Sequence, residues 1–324
     1  MSYKIVYSDH TFDDLDLERR MFGEIDGEVI DGEESEEPVE ELVGDADALV
    51  VMYHPVDASL MDRMPNCKIV VRSGIGFDIV DRKAATERGI YVTNVPDYCL
   101  SEVSDHAIGM ILALQRKIVF YNNRLKHGEW DIKAGYRMHC IKGQTLGLVA
   151  FGNIGRNVAH KARALGMEVI TYDPYLSPET VREGGAEPVD SLDELLERSD
   201  VISVHTPLTP ETRGMIGSEE LSKMKDTAFL INVARGGIID EKALLKALDA
   251  GEIQGAALDV FENEPLKGND PLLVNEKLIV TPHAAWNSVE SEIDRREKTA
   301  NDVISVLKGE RPKYLVNRDV TGKS

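Results

Sequence analysis

LVAFGNIG, residues 148–155, is the stretch on which the fold is decided. A turn that cradles phosphate is usually written G-x-G-x-x-G: the first glycine permits a tight turn, the second lets backbone approach a pyrophosphate, and the third lets helix pack on strand. Gly152 and Gly155 hold the second and third places, and Ala150 stands in the first at the cost of a methyl group. A lone G-x-x-G is weak. Its surroundings are specific: the turn follows the apolar run LGLVAF and opens the helical pattern IGRNVAHKARALG, and Asp173 comes 18 residues after Gly155, ending the next run, MEVITYD. Phosphate on such a turn sits on amides at the helix N-terminus. An acidic group after the second strand bonds a ribose 2′-hydroxyl and repels a 2′-phosphate. The stretch reads as a site for NAD in preference to NADP, with Asp173 as a plain turn residue before Pro174 the competing reading.

Outward from this turn, TLGLVAF, MEVITYD, SDVISVHTP, TAFLINVAR, QGAALDV and KLIVTPH read as six strands, separated in several places by helical patterns such as SLDELLERS and EKALLKALDAG. Six strands in this order suit a doubly wound dinucleotide domain. Before them, KIVYS at 4–8, ALVVMY at 48–53, KIVVRSG at 68–74 and GIYVTNV at 89–95 form an earlier series of strands, each followed by a polar or glycine-bearing loop. The alternation implies parallel sheets with crossover helices. GEESEEPVEE at 32–41 is an acidic surface loop entering a helix. A long helix from SEVSDHAIGM to the tryptophan at 130 joins the two series, and SVESEIDRREKTANDVISVLKGERP forms another helix that returns to the first. The expected fold class is α/β, two Rossmann-like domains with doubly wound parallel sheets and a cleft between them. Residues 1–98 plus 290–324 form a discontinuous substrate-binding domain, and 99–289 the NAD-binding domain.

Bulk properties narrow the function. The 324 residues suffice for about two domains. Acidic side chains number 57 against 37 basic ones, a net charge of −20 that argues against nucleic acid or anionic membrane as partner. The same excess suits a salt-rich cytoplasm. MSYKIVYSDH carries no signal-peptide pattern, and no apolar run approaches the ~20 residues of a membrane helix. Cys67, Cys99 and Cys140 are far apart with no C-x-x-C, which fits reduced thiols in the cytoplasm. His139 and Cys140 lack further ligands at metal spacing, so no metal is expected.

Exchange of a hydride with a 2-oxo acid needs a cation for carboxylate and carbonyl, and an acid that protonates the developing alkoxide near neutral pH, the work of histidine. Arg235 in INVARGGIID and His283 in IVTPHAAW each end a strand, and Glu264 follows the strand QGAALDV in FENEP. Carboxyl ends of strands are where open α/β sheets bind ligands. Glu264 beside His283 would orient the imidazole. Singly these are a surface arginine, a turn glutamate and a loop histidine; jointly they form a catalytic set.

VRSGIGFD, LVAFGNIG, TYDPY, VHTPLTPETRGMIG, LINVARGGIIDEKAL, GAALDVFENEP and TPHAAW together resemble the D-isomer-specific 2-hydroxyacid dehydrogenase family over nearly the whole chain. The resemblance places that family's arginine, glutamate and histidine on Arg235, Glu264 and His283. It puts the substrate carboxylate on the amides of Ile75 and Gly76, with Arg72 nearby. Around the cofactor it sets Val103, Ala150, Gly152, Asn153, Ile154, Gly155, Asp173, His205, Thr206, Pro207, Thr212, Val233, Ala234 and Asp259, the last at the nicotinamide carboxamide. Ala150 departs from the family's glycine and implies looser packing around the pyrophosphate. DPYL and HAAW look like the C-terminal-binding-protein branch, in which the tryptophan, here Trp286, lines the substrate pocket; Tyr53 falls at the matching wall of the first domain. Two aromatics suggest a 2-oxo acid with an apolar or bulky side chain, although a core tryptophan looks identical in sequence. Homodimerisation through the helix at 101–121 and its following arm is implied by the same resemblance.

The expected activity is NAD-dependent reduction of a 2-oxo acid to a D-2-hydroxy acid. The rival from another class is an NADH-responsive corepressor-like scaffold. Within enzymes the alternative is a phosphoglycerate dehydrogenase lacking a regulatory domain, for which Arg137 and Lys142 are the candidate phosphate cations.

Overall fold

In the computed structural model, which describes residues 2–322, the chain divides into two compact units. Met1–Tyr98 and Ser288–Ser324 form a divided unit, and Cys99–Asn287 a continuous one.

The divided unit holds strands β1 (Tyr3–Tyr7), β2 (Gly27–Asp31), β3 (Ala48–Val51), β4 (Ile69–Arg72) and β5 (Tyr91–Thr93), in the order β2-β1-β3-β4-β5, all parallel. Four were expected. The fifth, β2, is the edge strand GEVID, whose two apolar residues and partial burial give no periodic signal, although it pairs in register from Tyr3 with Gly27 to Tyr7 with Asp31. β3 and β4 are buried on both faces and so read as continuous apolar runs without alternation. Alternate residues serve two cores. Val6, Leu49, Val51 and Val70 face one side, and Ile5, Tyr7, Val50 and Ile69 the other, where helix Val289–Leu307 contributes Ala300, Val303, Ile304 and Leu307. That helix starts at Ser288, whose hydroxyl accepts the Ser291 amide at 2.9 Å.

The continuous unit holds β6 (Thr145–Val149), β7 (Glu168–Tyr172), β8 (Glu187–Pro188), β9 (Val201–Val204), β10 (Phe229–Asn232), β11 (Gly255–Leu258) and β12 (Leu278–Val280), ordered β12-β11-β10-β9-β6-β7-β8. Counted from β6 as first, the order is 3-2-1-4-5-6-7, the doubly wound dinucleotide arrangement with one strand added. Six strands were expected; the seventh, β8, is two residues at the sheet edge, one of them a proline, a place where proline is tolerated. Strand order reverses between β6 and β9, so the turn after β6 lies at the switch point where such sheets bind ligands.

The single long helix expected from residue 101 onward is two, Leu100–Gln115 and Ile118–Lys126. Lys117 breaks it with a left-handed backbone (φ +53°), and its buried ammonium donates to the Ala134 carbonyl at 2.8 Å and lies 4.5 Å from the centre of the Tyr136 ring. The apolar spacing runs unchanged through the break, so the periodicity could not reveal it. Among the described residues, no helix is long and apolar enough to cross a membrane.

Candidate active site

The phosphate turn forms because β6 ends in a backbone reversal that L-residues resist. Ala150 sits at φ +75°, its amide donating to the Tyr172 carbonyl at 2.9 Å, and helix Asn153–Ala164 begins immediately beyond, with Gly152 as its N-cap. A Cβ on Gly155 would lie 2.7 Å from the Ala150 carbonyl oxygen, so only glycine lets helix approach strand here. A Cβ on Gly152 would meet nothing within 4 Å, leaving that side of the backbone open to a ligand. The amides of Gly152, Asn153 and Ile154 have no acceptor among the described residues, as expected for a helix start. Asp173 accepts the Phe151 amide at 2.9 Å and the Tyr175 amide at 3.0 Å, bonds that tie the ends of β6 and β7 together. Val103 is buried in helix Leu100–Gln115.

Ala150 carries a cost besides the looser packing expected around the pyrophosphate. It lies in the backbone, since a left-handed L-residue costs about 1–2 kcal/mol. Ala150→Gly should therefore raise stability by roughly 0.5–1 kcal/mol after the glycine's greater freedom in the unfolded chain is subtracted. Urea unfolding of the two proteins checks this; equal or lower stability of the variant would show that Ala150 is unstrained.

After β9, His205 donates its amide to Val149, and its ring Nε2 lies 2.9 Å from Ser203 Oγ. Thr206 and Pro207 follow. The buried Thr212 closes this loop on itself, its hydroxyl donating to the Pro207 carbonyl at 2.7 Å and accepting the Thr209 amide at 2.8 Å. Enclosure of the His205 ring holds its pKa down from 6.5 to about 4. The folded protein thus lacks a proton that the unfolded chain binds below about pH 6.5, so stability present above that pH is lost as pH falls toward 4. The slope from this group approaches about 1.4 kcal/mol per pH unit. Urea unfolding from pH 7 to pH 5 should show a steeper loss for the parent than for His205→Gln; parallel profiles would remove His205 as the cause.

Three loops at the carboxyl ends of β10, β11 and β12 bring Arg235, Glu264 and His283 together. Asn232, buried at the end of β10, accepts the Ala234 amide at 3.0 Å and donates to the Arg235 carbonyl at 2.8 Å, fixing the turn at Val233 and Ala234. A Cβ on Gly236 would strike the Phe261 carbonyl and lie 2.6 Å from the Glu262 nitrogen, so the arginine loop packs backbone to backbone on the glutamate loop. Glu264 Oε1 accepts the Phe261 amide at 2.8 Å, and Oε2 lies 2.7 Å from His283 Nδ1. Burial pushes the Glu264 carboxyl up, but the His283 hydrogen bond and charge, the Phe261 amide and Arg235 outweigh it and hold the group below its ordinary value.

His283 itself is left-handed (φ +51°), its amide donating to the carbonyls of Asp259 at 2.7 Å and Thr281 at 3.1 Å. Asp259 determines this loop. Its carboxylate accepts from Thr281 Oγ1 at 2.5 Å and from the amides of Ala284 and Ala285 at 2.9 Å each, and its side chain has no exposed surface. The structure thus shows an anchor for the histidine loop where the family resemblance implied a carboxamide contact. His106 joins the same cluster, Nε2 lying 3.0 Å from Thr281 Oγ1. Asn232, Thr281 and His106 escaped the sequence reading; a lone polar residue ending the apolar run FLIN was the one available signal. Trp286 is partly buried.

In the divided unit, Arg72 is buried at the end of β4, and the amides of Ile75 and Gly76 beyond it have no acceptor among the described residues. Asn94 holds this turn by donating to the Ile75 carbonyl at 2.6 Å. Tyr53 is 45% exposed on a turn shaped by Asp9, whose carboxylate accepts the amides of Met52, Tyr53 and His54 at 3.0, 2.5 and 3.2 Å.

Arg137 and Lys142 do not join Arg235. Both line a cavity at the amino ends of the continuous unit's strands, the end opposite Arg235, Glu264 and His283. As phosphate cations for a substrate at those residues they are misplaced.

The family model described as D-isomer specific 2-hydroxyacid dehydrogenase, NAD binding domain, matches residues 108–285. The chain is similar to a glyoxylate reductase of Korarchaeum cryptofilum, 41% identical over 290 residues, 88% of this chain and 87% of that protein. It is also similar to a D-3-phosphoglycerate dehydrogenase of Methanocaldococcus jannaschii, 41% identical over 315 residues, which are 97% of this chain but 59% of that longer protein. Among solved structures it resembles a D-lactate dehydrogenase from Aquifex aeolicus complexed with NAD and lactic acid, with 31% identity, a TM-score of 0.85, and coverage of 95% of this chain and 96% of that one.

Proposed function

The chain belongs to the D-isomer-specific 2-hydroxyacid dehydrogenase family, and from that premise we propose that it reduces an unphosphorylated 2-oxo acid to the D-2-hydroxy acid, with His283 as the proton donor. It is an NAD-dependent oxidoreductase of 2-hydroxy acids. The observation that carries the finer reading is the pair of His283 Nδ1 and Glu264 Oε2 at 2.7 Å. With Nδ1 turned to the carboxylate, the imidazole gives its proton from Nε2 to the carbonyl oxygen as negative charge develops there, and the Glu264 charge stabilises the imidazolium before that transfer. When bound, NADH would supply the hydride for the carbonyl carbon. Arg235 is the continuous unit's candidate for the carboxylate and carbonyl of the substrate through its planar fork, and in the divided unit the unengaged amides of Ile75 and Gly76 are a pair of donors suited to a carboxylate. The amides of Gly152, Asn153 and Ile154 would hold the pyrophosphate, and Asp173 would bond the adenine ribose. Val103, His205, Thr206, Pro207, Thr212, Val233 and Ala234 would line the cofactor, and Asp259 would act on it through the loop it anchors.

Tyr53 and Trp286 favour an acid with an apolar side chain, whereas similarity to a glyoxylate reductase favours a smaller one. The position of Arg137 and Lys142 speaks against a phosphorylated substrate held by them. Oxidation of NADH in the presence of glyoxylate, hydroxypyruvate, 4-methyl-2-oxopentanoate, phenylpyruvate or 3-phosphohydroxypyruvate tests the proposal. Rapid turnover of one of the first four supports it and fixes the side-chain class. Preference for the phosphorylated acid would overturn it, and slow turnover of all five with NADH still bound would favour the scaffold reading. Exposed apolar residues of the arm, Ile118, Leu125, Trp130 and Ile132, support a homodimer joined there. An exposed free thiol at Cys140 suits a reducing cytoplasm.

A further inference from the structure

A cavity of about 350 Å³ opens at the amino ends of β6, β9, β10 and β11, walled by Tyr136, Arg137, Cys140, Lys142, Asp200 and Phe229. Its size falls within the range of small-molecule sites. The five residues of β6 separate it from the phosphate turn by about 16 Å at 3.3 Å per residue, so it is a second site and not an extension of the first.

Its chemistry is unlike that of the chain around it. The protein carries a net charge of −20, yet Arg137 and Lys142 make no ion pair with any of its acidic groups among the described residues. Asp200, the carboxylate in the wall, is already neutralised: Oδ1 accepts from Lys225 Nζ and Oδ2 from the Thr145 amide, each at 2.8 Å. The wall therefore presents two uncompensated cations. Beside them stands an aromatic corner, Tyr136 and Phe229 with ring centres 5.6 Å apart and planes at 63°. Tyr136 is held by its hydroxyl donating to the Leu114 carbonyl at 2.5 Å, and burial pushes that hydroxyl's pKa up to about 12, so it stays a neutral donor. Gln115, buried, donates to Gln144 at 2.5 Å and places amide groups in the lining.

We propose that this cavity binds a small aromatic anion, its phosphate or carboxylate group on Arg137 and Lys142 and its ring against Tyr136 and Phe229. Phosphate on two cations gains charge-assisted hydrogen bonds, and a flat ring packs in the aromatic corner. Neither cation is part of the catalytic set, so the site operates whichever 2-oxo acid the enzyme reduces, and its test needs no turnover.

Phenyl phosphate serves as the probe, with the enzyme saturated by NAD so that the phosphate turn is already filled. Calorimetry should give saturable binding, tighter than that of inorganic phosphate. The double substitution of Arg137→Ala and Lys142→Ala, at two exposed positions, should weaken it about ten- to hundredfold. Cys140 reports independently: Cys67 and Cys99 are buried, so iodoacetamide labels the cavity thiol first, and saturating phenyl phosphate should slow that labelling. The proposal fails if binding is absent, if the double variant binds as well as the parent, if inorganic phosphate binds equally well, or if Cys140 is shielded beforehand by a second copy of the chain.

Discussion

Replacing His283 by alanine is expected to lower kcat for 2-oxo acid reduction by roughly 10²–10⁴-fold, the usual worth of a positioned general acid, while NADH binding measured by fluorescence stays intact. The difficulty is that alanine also disturbs the backbone, because His283 is held at φ +51°. His283→Asn separates the two effects. Asparagine tolerates the left-handed region, so this variant should melt like the parent and still lose activity to the same extent. Near-parental turnover in either variant would exclude His283 as proton donor. An asparagine variant that is stable and active, beside an alanine variant that is neither, would assign the residue a structural part alone.

Gly236→Ala should be nearly as damaging, although glycine touches no substrate. The added methyl would collide with the Phe261 carbonyl and stand 2.6 Å from the Glu262 nitrogen, both backbone, so no side chain can swing aside. Relief requires the Arg235 loop and the Glu264 loop to part. Overpacking of this kind costs about 1–3 kcal/mol, and displacing catalytic groups by about 1 Å can cost 10²-fold in rate. Urea unfolding and kcat/KM measure the two losses. Gly268→Ala is the control, since a Cβ there meets nothing within 4 Å, and should change neither. A Gly236 variant with parental kcat/KM would mean that the two loops do not need their close approach for activity.

The catalytic candidates were legible because parallel strands buried on both faces read as apolar runs, and the first polar residues beyond them mark the ligand-binding end of the sheet. VARGG, DVFENEP and TPHAAW each begin where such a run stops. What holds these residues was hidden. Asp259 anchors the histidine loop through amides 25 and 26 positions away, and no local pattern encodes that partnership. β2 and β8 lay below the threshold of periodicity, one acidic and half-exposed, the other two residues long. Lys117 breaks a helix for the sake of Ala134 and Tyr136, contacts 17 and 19 positions onward. Ala150 shows the reverse: the motif identified its place, but its strain is a torsion angle that composition does not carry.

The division of the first unit bears on how the protein is made. Its strands β1, β3 and β4 are synthesised early, but the face formed by Ile5, Tyr7, Val50 and Ile69 is covered by Ala300, Val303, Ile304 and Leu307. Those residues leave the ribosome about 230 positions after β4, roughly 12–46 s at 5–20 residues per second. The continuous unit ends at Asn287, so all of it has been synthesised before those residues appear. For that interval the apolar face of the first sheet lacks its covering helix and stays open to water.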